Sequence, residues 1–158
     1  MMDEEWKNKI KSGALTFLKN NKVAVISTSS NNEPHAAAVY YIVDDEFNLY
    51  FVTDPSSRKA QDIKTNNKVA IVVGAGPEIS TVQGGGEAIE EISKTVEILN
   101  NISAKLDSNE SHHWPIIKLN PKTLTCYKVK FSWLNWLNMD LTGLSAGPYK
   151  EGFQKVLP

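Results

Sequence analysis

The chain has one cysteine, Cys126, and one arginine, Arg58. A single cysteine excludes an intramolecular disulfide and a CxxC metal or redox pair, and it fits a reducing, cytoplasmic setting. Neither sign of charge is in excess: 17 lysines and arginines face 18 aspartates and glutamates, for a formal charge of −1. The basic surplus of a nucleic-acid binder is missing, so any affinity for phosphate must be local. No apolar run approaches the ~20 residues that cross a bilayer. The N-terminus, MMDEEWKNKIKSG, is charged and lacks an apolar signal core. Nucleic acid and membrane are therefore not expected partners. What remains is ordinary for a globular chain. The 158 residues are 41% hydrophobic and 22% charged, which suits one domain, 1–158, with a core of its own.

The spacing of apolar residues predicts a helix over Asp3 to Asn21, with Trp6, Ile10, Ala14 and Phe17 on one face. Three short β-branched runs follow, KVAVIST, HAAAVYYIV and LYFVT, separated by the turn clusters SSNNEP and DDEFN. Tight turns make these antiparallel neighbours. DPSS opens a second helix, RKAQDIKTNN, capped by Asp54 or a following serine, with Ala60 and Ile63 inward. KVAIVV (68–73) reads as a strand buried on both faces. The segment 79–91 reads as a long strand interrupted by Gly84, Gly85 and Gly86, which predict a bulge, bend or close backbone approach. Ile92, Val96, Leu99 and Leu106 mark a further helix. Thr123 to Asn138 is a last, aromatic-rich strand, and the tail beyond it shows little periodicity. Six mostly antiparallel strands with peripheral α-helices predict a mainly β protein, a small barrel rather than a doubly wound sheet.

One stretch carries chemistry. A strand ends in Thr53, two serines follow, and Arg58 and Lys59 stand at the opening of a helix. Unpaired amides and the positive end of the helix dipole lie there. Serine hydroxyls, a guanidinium fork and an ammonium group add donors, and together they suit a phosphate. The same residues also suit a capped surface helix with two solvated cations.

The segment VTDPSSRKAQDIKTNNKVAIVV, with HAAAVYYIVDDEFNLYF before it and ISTVQGGGEAIEE after it, resembles the pyridoxamine 5′-phosphate oxidase family. The resemblance runs from about Val23 to Glu91. It implies a six-stranded antiparallel split β-barrel that binds flavin mononucleotide (FMN) at the interface of a homodimer. Arg58 and Lys59 would hold the FMN phosphate, assisted by Ser57 and Thr53. Ala37, Ala38 and Val39 would run along the isoalloxazine edge, with Val52 under the ring. Thr81 falls where the family often places a polar side chain from the partner subunit, and Gln83 shares its strand face. The family oxidase carries arginine where this chain has Ala37, and arginines near its C-terminus hold the substrate phosphate. This chain has none there, so the resemblance supports the FMN site and not a vitamin-phosphate substrate.

Other residues invite weaker readings. His112 and His113 are adjacent, diverge on any regular element and have no third ligand nearby, so a metal site is not expected. His35 is a strand-end histidine near the flavin edge. Cys126 reads as packed and inert. Trp133 and Trp136 fall on opposite faces of a strand: one is core, and the other, assigned as Trp136, covers the cofactor or the dimer interface. An FMN-dependent oxidoreductase acting on a small organic substrate is the leading expectation. A non-catalytic flavin carrier or sensor, or a relative binding deazaflavin or haem, are the alternatives, and fold alone does not choose among them.

Overall fold

The computed structural model describes residues 4–74, 80–107, 120–138 and 153–157. Its elements are α1 (Glu4–Asn20), β1 (Val23–Ser30), β2 (Glu33–Val43), β3 (Leu49–Thr53), α2 (Arg58–Thr65), β4 (Lys68–Val73), β5 (Ser80–Glu90), α3 (Thr95–Asp107), β6 (Thr125–Asn138) and β7 (Phe153–Leu157). The strands run in the order β3-β2-β1-β4-β5-β6, and β3 pairs again with β6, which closes a six-stranded antiparallel barrel. Local chemistry sets the hairpins. Asn31 and Asn32 both take positive φ, 53° and 64°, the left-handed pair that a two-residue hairpin turn requires.

β6 is long enough to serve two partners along one edge. Its first half pairs with β3, from Thr125 opposite Thr53 to Val129 opposite Leu49. Its second half takes β7, with Leu134 opposite Leu157 and Leu137 opposite Phe153. This seventh strand falls in the tail that looked aperiodic, because its sequence FQKVL sets two polar residues and then two apolar ones side by side, which breaks the alternation of a half-buried strand. Val156 nonetheless joins the main core.

Helices close the two ends of the barrel. α1 buries Ile10, Ala14 and Leu18, one turn apart, while Trp6 stays exposed. α2 buries Ala60 and Ile63 as expected, and Asp62 with them. α3 covers the outside of the barrel over β3 and β6, where Ile98, Leu99, Ile102 and Leu106 pack on Tyr50 and Cys126. Ile92 and Val96, expected on the inner face of that helix, are exposed. Ile92 belongs to a 3-10 turn whose geometry breaks the helical spacing.

The glycine run behaves as a close approach. Between Gly85 and Gly86 the β5–β6 register slips, because Gly85 faces Trp133 while Gly86 faces Phe131 and Ser132 is extra. A Cβ on Gly86 would lie 2.0 Å from the Lys130 carbonyl oxygen, so only glycine fits. The bulge also resets which residues face inward. Before it Thr125, Tyr127 and Val129 are buried in the barrel, and after it Leu134 is.

β4 departs from expectation. Val69, Ile71 and Val73 point into the barrel, but Lys68, Ala70 and Val72 face outward and are exposed in the single chain. The unbroken apolar run reflects two apolar faces, of which the barrel covers one.

Candidate functional site

Thr53 ends β3 inside the barrel and is buried. The chain then turns sharply. One Asp54 carboxylate oxygen accepts from the Ser56 amide at 2.8 Å and the Ser56 hydroxyl at 2.7 Å, and the Ser57 amide donates to the Asp54 carbonyl at 3.0 Å. Those Ser56 hydrogen bonds hold the exposed Asp54 carboxyl below its usual range. Ser57 caps α2, its hydroxyl accepting from the Ala60 amide at 3.3 Å. It also pairs with the Thr53 hydroxyl at 3.1 Å. Arg58 and Lys59 occupy the first two helical positions, where amides point out of the helix end. Arg58 is exposed and Lys59 half-buried. Burial draws the Lys59 ammonium below its ordinary value against the opposing pull of Asp54, and an incoming anion would favour its charged form. The turn thus offers a hydroxyl, two cations and a helix dipole in one place.

Behind it lies a group that sequence reasoning missed. Asp62 is 1% exposed. Its Oδ2 accepts from the Thr28 hydroxyl at 2.8 Å and meets His35 Nδ1 at 2.8 Å. Burial alone would raise this carboxyl, but the Thr28 and His35 bonds and the charges of His35 and Arg58 hold it below the ordinary value. An ionised carboxylate only accepts, so Nδ1 carries the hydrogen. Local spacing carried no signal for it, since by helical period Asp62 falls off the face that Ala60 and Ile63 define.

The remaining expected site residues are distributed as follows. β2 runs from this end of the barrel with Ala37 and Val39 pointing inward and Ala38 outward and exposed. Val52 points outward and packs on the α3 cluster. Thr81 and Gln83 lie toward the far end, near the start of β5. The Thr81 hydroxyl is buried without a hydrogen-bond partner among the described residues. Trp136 is also at the far end, turned inward against the main core, with its ring over Gly13 of α1. Trp133 is the tryptophan on the outer face, 41% exposed. This reverses the expected assignment, because the bulge at Ser132 shifts parity along β6. One chain therefore gathers Thr53, Ser57, Arg58 and Lys59 beside β2 and keeps Thr81, Gln83 and Trp136 away from them.

The outer sheet face is apolar and open. Val25, 42% exposed, lies between Ala38 of β2 and Val72 of β4, and Val72 is itself 36% exposed. The row continues through Gln83, and a groove of about 510 Å³ lies alongside it over Ala70, Gly85, Ser132 and Trp133. Cys126 is fully buried, and burial pushes its thiol up to about 12, which removes it from nucleophilic chemistry. His112 and His113 lie outside the described residues. Among the described residues no group of three or more His, Cys, Asp or Glu could hold a metal ion, and no helix is long and apolar enough to cross a membrane.

The family model for pyridoxamine 5′-phosphate oxidase matches residues 10–125. The chain belongs to the pyridoxamine 5′-phosphate oxidase family. Solved structures agree at the level of the fold. General stress protein 26 of Bacillus anthracis is 24% identical, with 84% of this chain and 93% of that chain covered and a TM-score of 0.63. An FAD-binding protein of Mesorhizobium loti is 16% identical, with 84% and 92% covered and a TM-score of 0.56. A haem-binding protein of Mycobacterium smegmatis is 13% identical, with 81% and 53% covered and a TM-score of 0.60. No curated protein matches the chain.

Proposed function

We propose that this family member binds FMN and acts as an FMN-dependent oxidoreductase on a small organic substrate, as a homodimer in the cytoplasm. The observation that carries the reading is the capped turn at the start of α2, where Ser57, Arg58 and Lys59 meet Thr53. Their donors match a phosphate monoester in charge and geometry. Bound FMN would supply the redox chemistry, and the protein would supply position and electrostatics. The backbone edge of Ala37 to Val39, with Ala38 facing out, is available to the ring system.

The outer face supports the dimer. Val25, Val72, Ala38 and Trp133 form a contiguous apolar surface that a second copy would cover, and contiguous apolar patches mark such contacts. A two-fold axis across the strands would lay the far end of one barrel over the α2 end of the other. Thr81 and Gln83 would then reach the partner's cofactor. With Arg58 the only arginine, no second guanidinium is available to grip a substrate phosphate, so a substrate without phosphate is favoured.

The test is fluorescence titration of FMN and riboflavin against wild type and an Arg58→Ala, Lys59→Ala double variant. Each charge-assisted hydrogen bond contributes about 1.5–3 kcal/mol, so FMN should weaken roughly a hundredfold or more, and riboflavin far less. Unfolding should change far less than FMN affinity, since Arg58 is exposed and Lys59 only half-buried, and such charges contribute little to stability. Equal weakening of both ligands, or unchanged FMN affinity, removes the phosphate assignment. A haem spectrum in the purified protein removes flavin, and sedimentation as a monomer with FMN bound removes the dimer.

A further inference from the structure

We propose that Asp62 is a positioning residue of the phosphate turn, a clamp that fixes α2 on the β1–β2 hairpin through Thr28 and His35. The inference rests on the FMN reading above. Thr28 and His35 sit directly opposite one another across β1 and β2. A single oxygen of Asp62, 2.8 Å from each, therefore ties both strands to the helix. One turn further on, the Asn66 side-chain amide donates to the Ser29 hydroxyl at 3.1 Å and adds a second peg.

The geometry links this clamp to the phosphate turn in two ways. α2 has only eight residues, too few to hold a helix by its own hydrogen bonds, so its place depends on what it is attached to. The Ser57 hydroxyl and the Arg58 and Lys59 amides move with it. Arg58 also stands four residues before Asp62, on the same side of the helix. The Arg58 charge accordingly helps to hold the buried carboxylate ionised, after the Thr28 and His35 bonds. An apolar residue at position 62 would fill the barrel mouth without any desolvation cost. A satisfied polar network there instead fixes one orientation of the helix, and a preorganised site loses less on binding.

The experiment compares FMN with riboflavin on folded variants. Thr28→Val is close to isosteric, and His35→Ala removes a half-exposed ring, so both should retain the fold, as checked by thermal melting. Each should weaken FMN about tenfold, the scale of one hydrogen bond to a charged acceptor, with riboflavin changed less than about twofold. His35→Asn, whose amide reaches as Nδ1 does, should restore most of the lost affinity. In ¹⁵N-histidine spectra, inorganic phosphate should shift the His35 Nδ1–H resonance of wild type and leave it unmoved in the Arg58→Ala, Lys59→Ala variant.

FMN affinity unchanged in Thr28→Val and His35→Ala, or FMN and riboflavin weakened alike, overturns the clamp. If at the same time the double variant still separates FMN from riboflavin, the phosphate site stands and only the role of Asp62 falls. If the double variant fails to separate them, the phosphate reading falls first and the clamp with it.

Discussion

The two ends of the barrel are closed by helices of opposite character. At one end α1 presents Ile10, Ala14 and Leu18 to the interior. The Leu18 carbonyl in its last turn is satisfied from outside the helix, accepting from the buried Tyr41 hydroxyl at 2.6 Å and from Lys105 at 3.4 Å. Burial draws Lys105 down to about 8, yet its ammonium also bonds the Tyr41 carbonyl at 3.1 Å and lies 4.0 Å from the Tyr41 ring centroid. Charge at this end serves to finish a helix. At the other end α2 brings in the buried carboxylate of Asp62, held by Thr28 and His35, and Thr53 is buried beside the Ser57 cap. The apolar end is built for stability, and the polar end spends some of that stability to hold a helix start in one place.

Leu18→Ala should break the apolar end most severely. The side chain is 1% exposed, and a truncated buried leucine costs about 2–5 kcal/mol. Urea unfolding should show the loss, while the ratio of FMN to riboflavin affinity in the folded protein stays at its wild-type value. A changed ratio would mean that the two ends are coupled.

Ser57→Ala sharpens the contrast from the polar side. Removing an N-cap costs about 1 kcal/mol, less than the leucine. Yet it should weaken FMN more than riboflavin, because the hydroxyl belongs to the turn. Equal effects on the two ligands would reduce Ser57 to a helix cap.

The smallest difference is in acid. Asp62 ionises more readily in the folded chain. Its contribution is complete above the unfolded carboxylate value, about 3.9, and is lost as pH falls through the lower folded value. Melting temperature should therefore drop more steeply for wild type than for Asp62→Asn, with the divergence confined to pH below about 4. Parallel acid profiles would show that the Asp62 charge contributes nothing to folding.

Much of this was legible in the chain itself. The Thr53-to-Lys59 turn, its serine cap and the hairpin at Asn31-Asn32 depend on residues within a few positions of each other, and they form as read. So does the order of β1 to β6. The inner face of α1 was legible only in part, since Ile10 and Ala14 fit a period that Trp6 also fits. A helix pattern does not say where the barrel stops. β7 was hidden because FQKVL does not alternate polar and apolar residues.

The sequence alone determined the succession of β1 to β6 along the chain, the hairpins between the first three strands and the chemistry of the α2 start, because each is written in neighbouring residues; the pairings of β1 with β4 and of β3 with β6 were left to tertiary structure. Tertiary structure decided which tryptophan faces out, because one extra residue, Ser132, reverses the alternation along β6. It decided that only one face of KVAIVV is covered within the chain. It also decided the role of Asp62, whose partners lie 34 and 27 residues away in sequence. No local pattern encodes a contact at that separation; it exists only once the barrel has closed and set the hairpin against the helix.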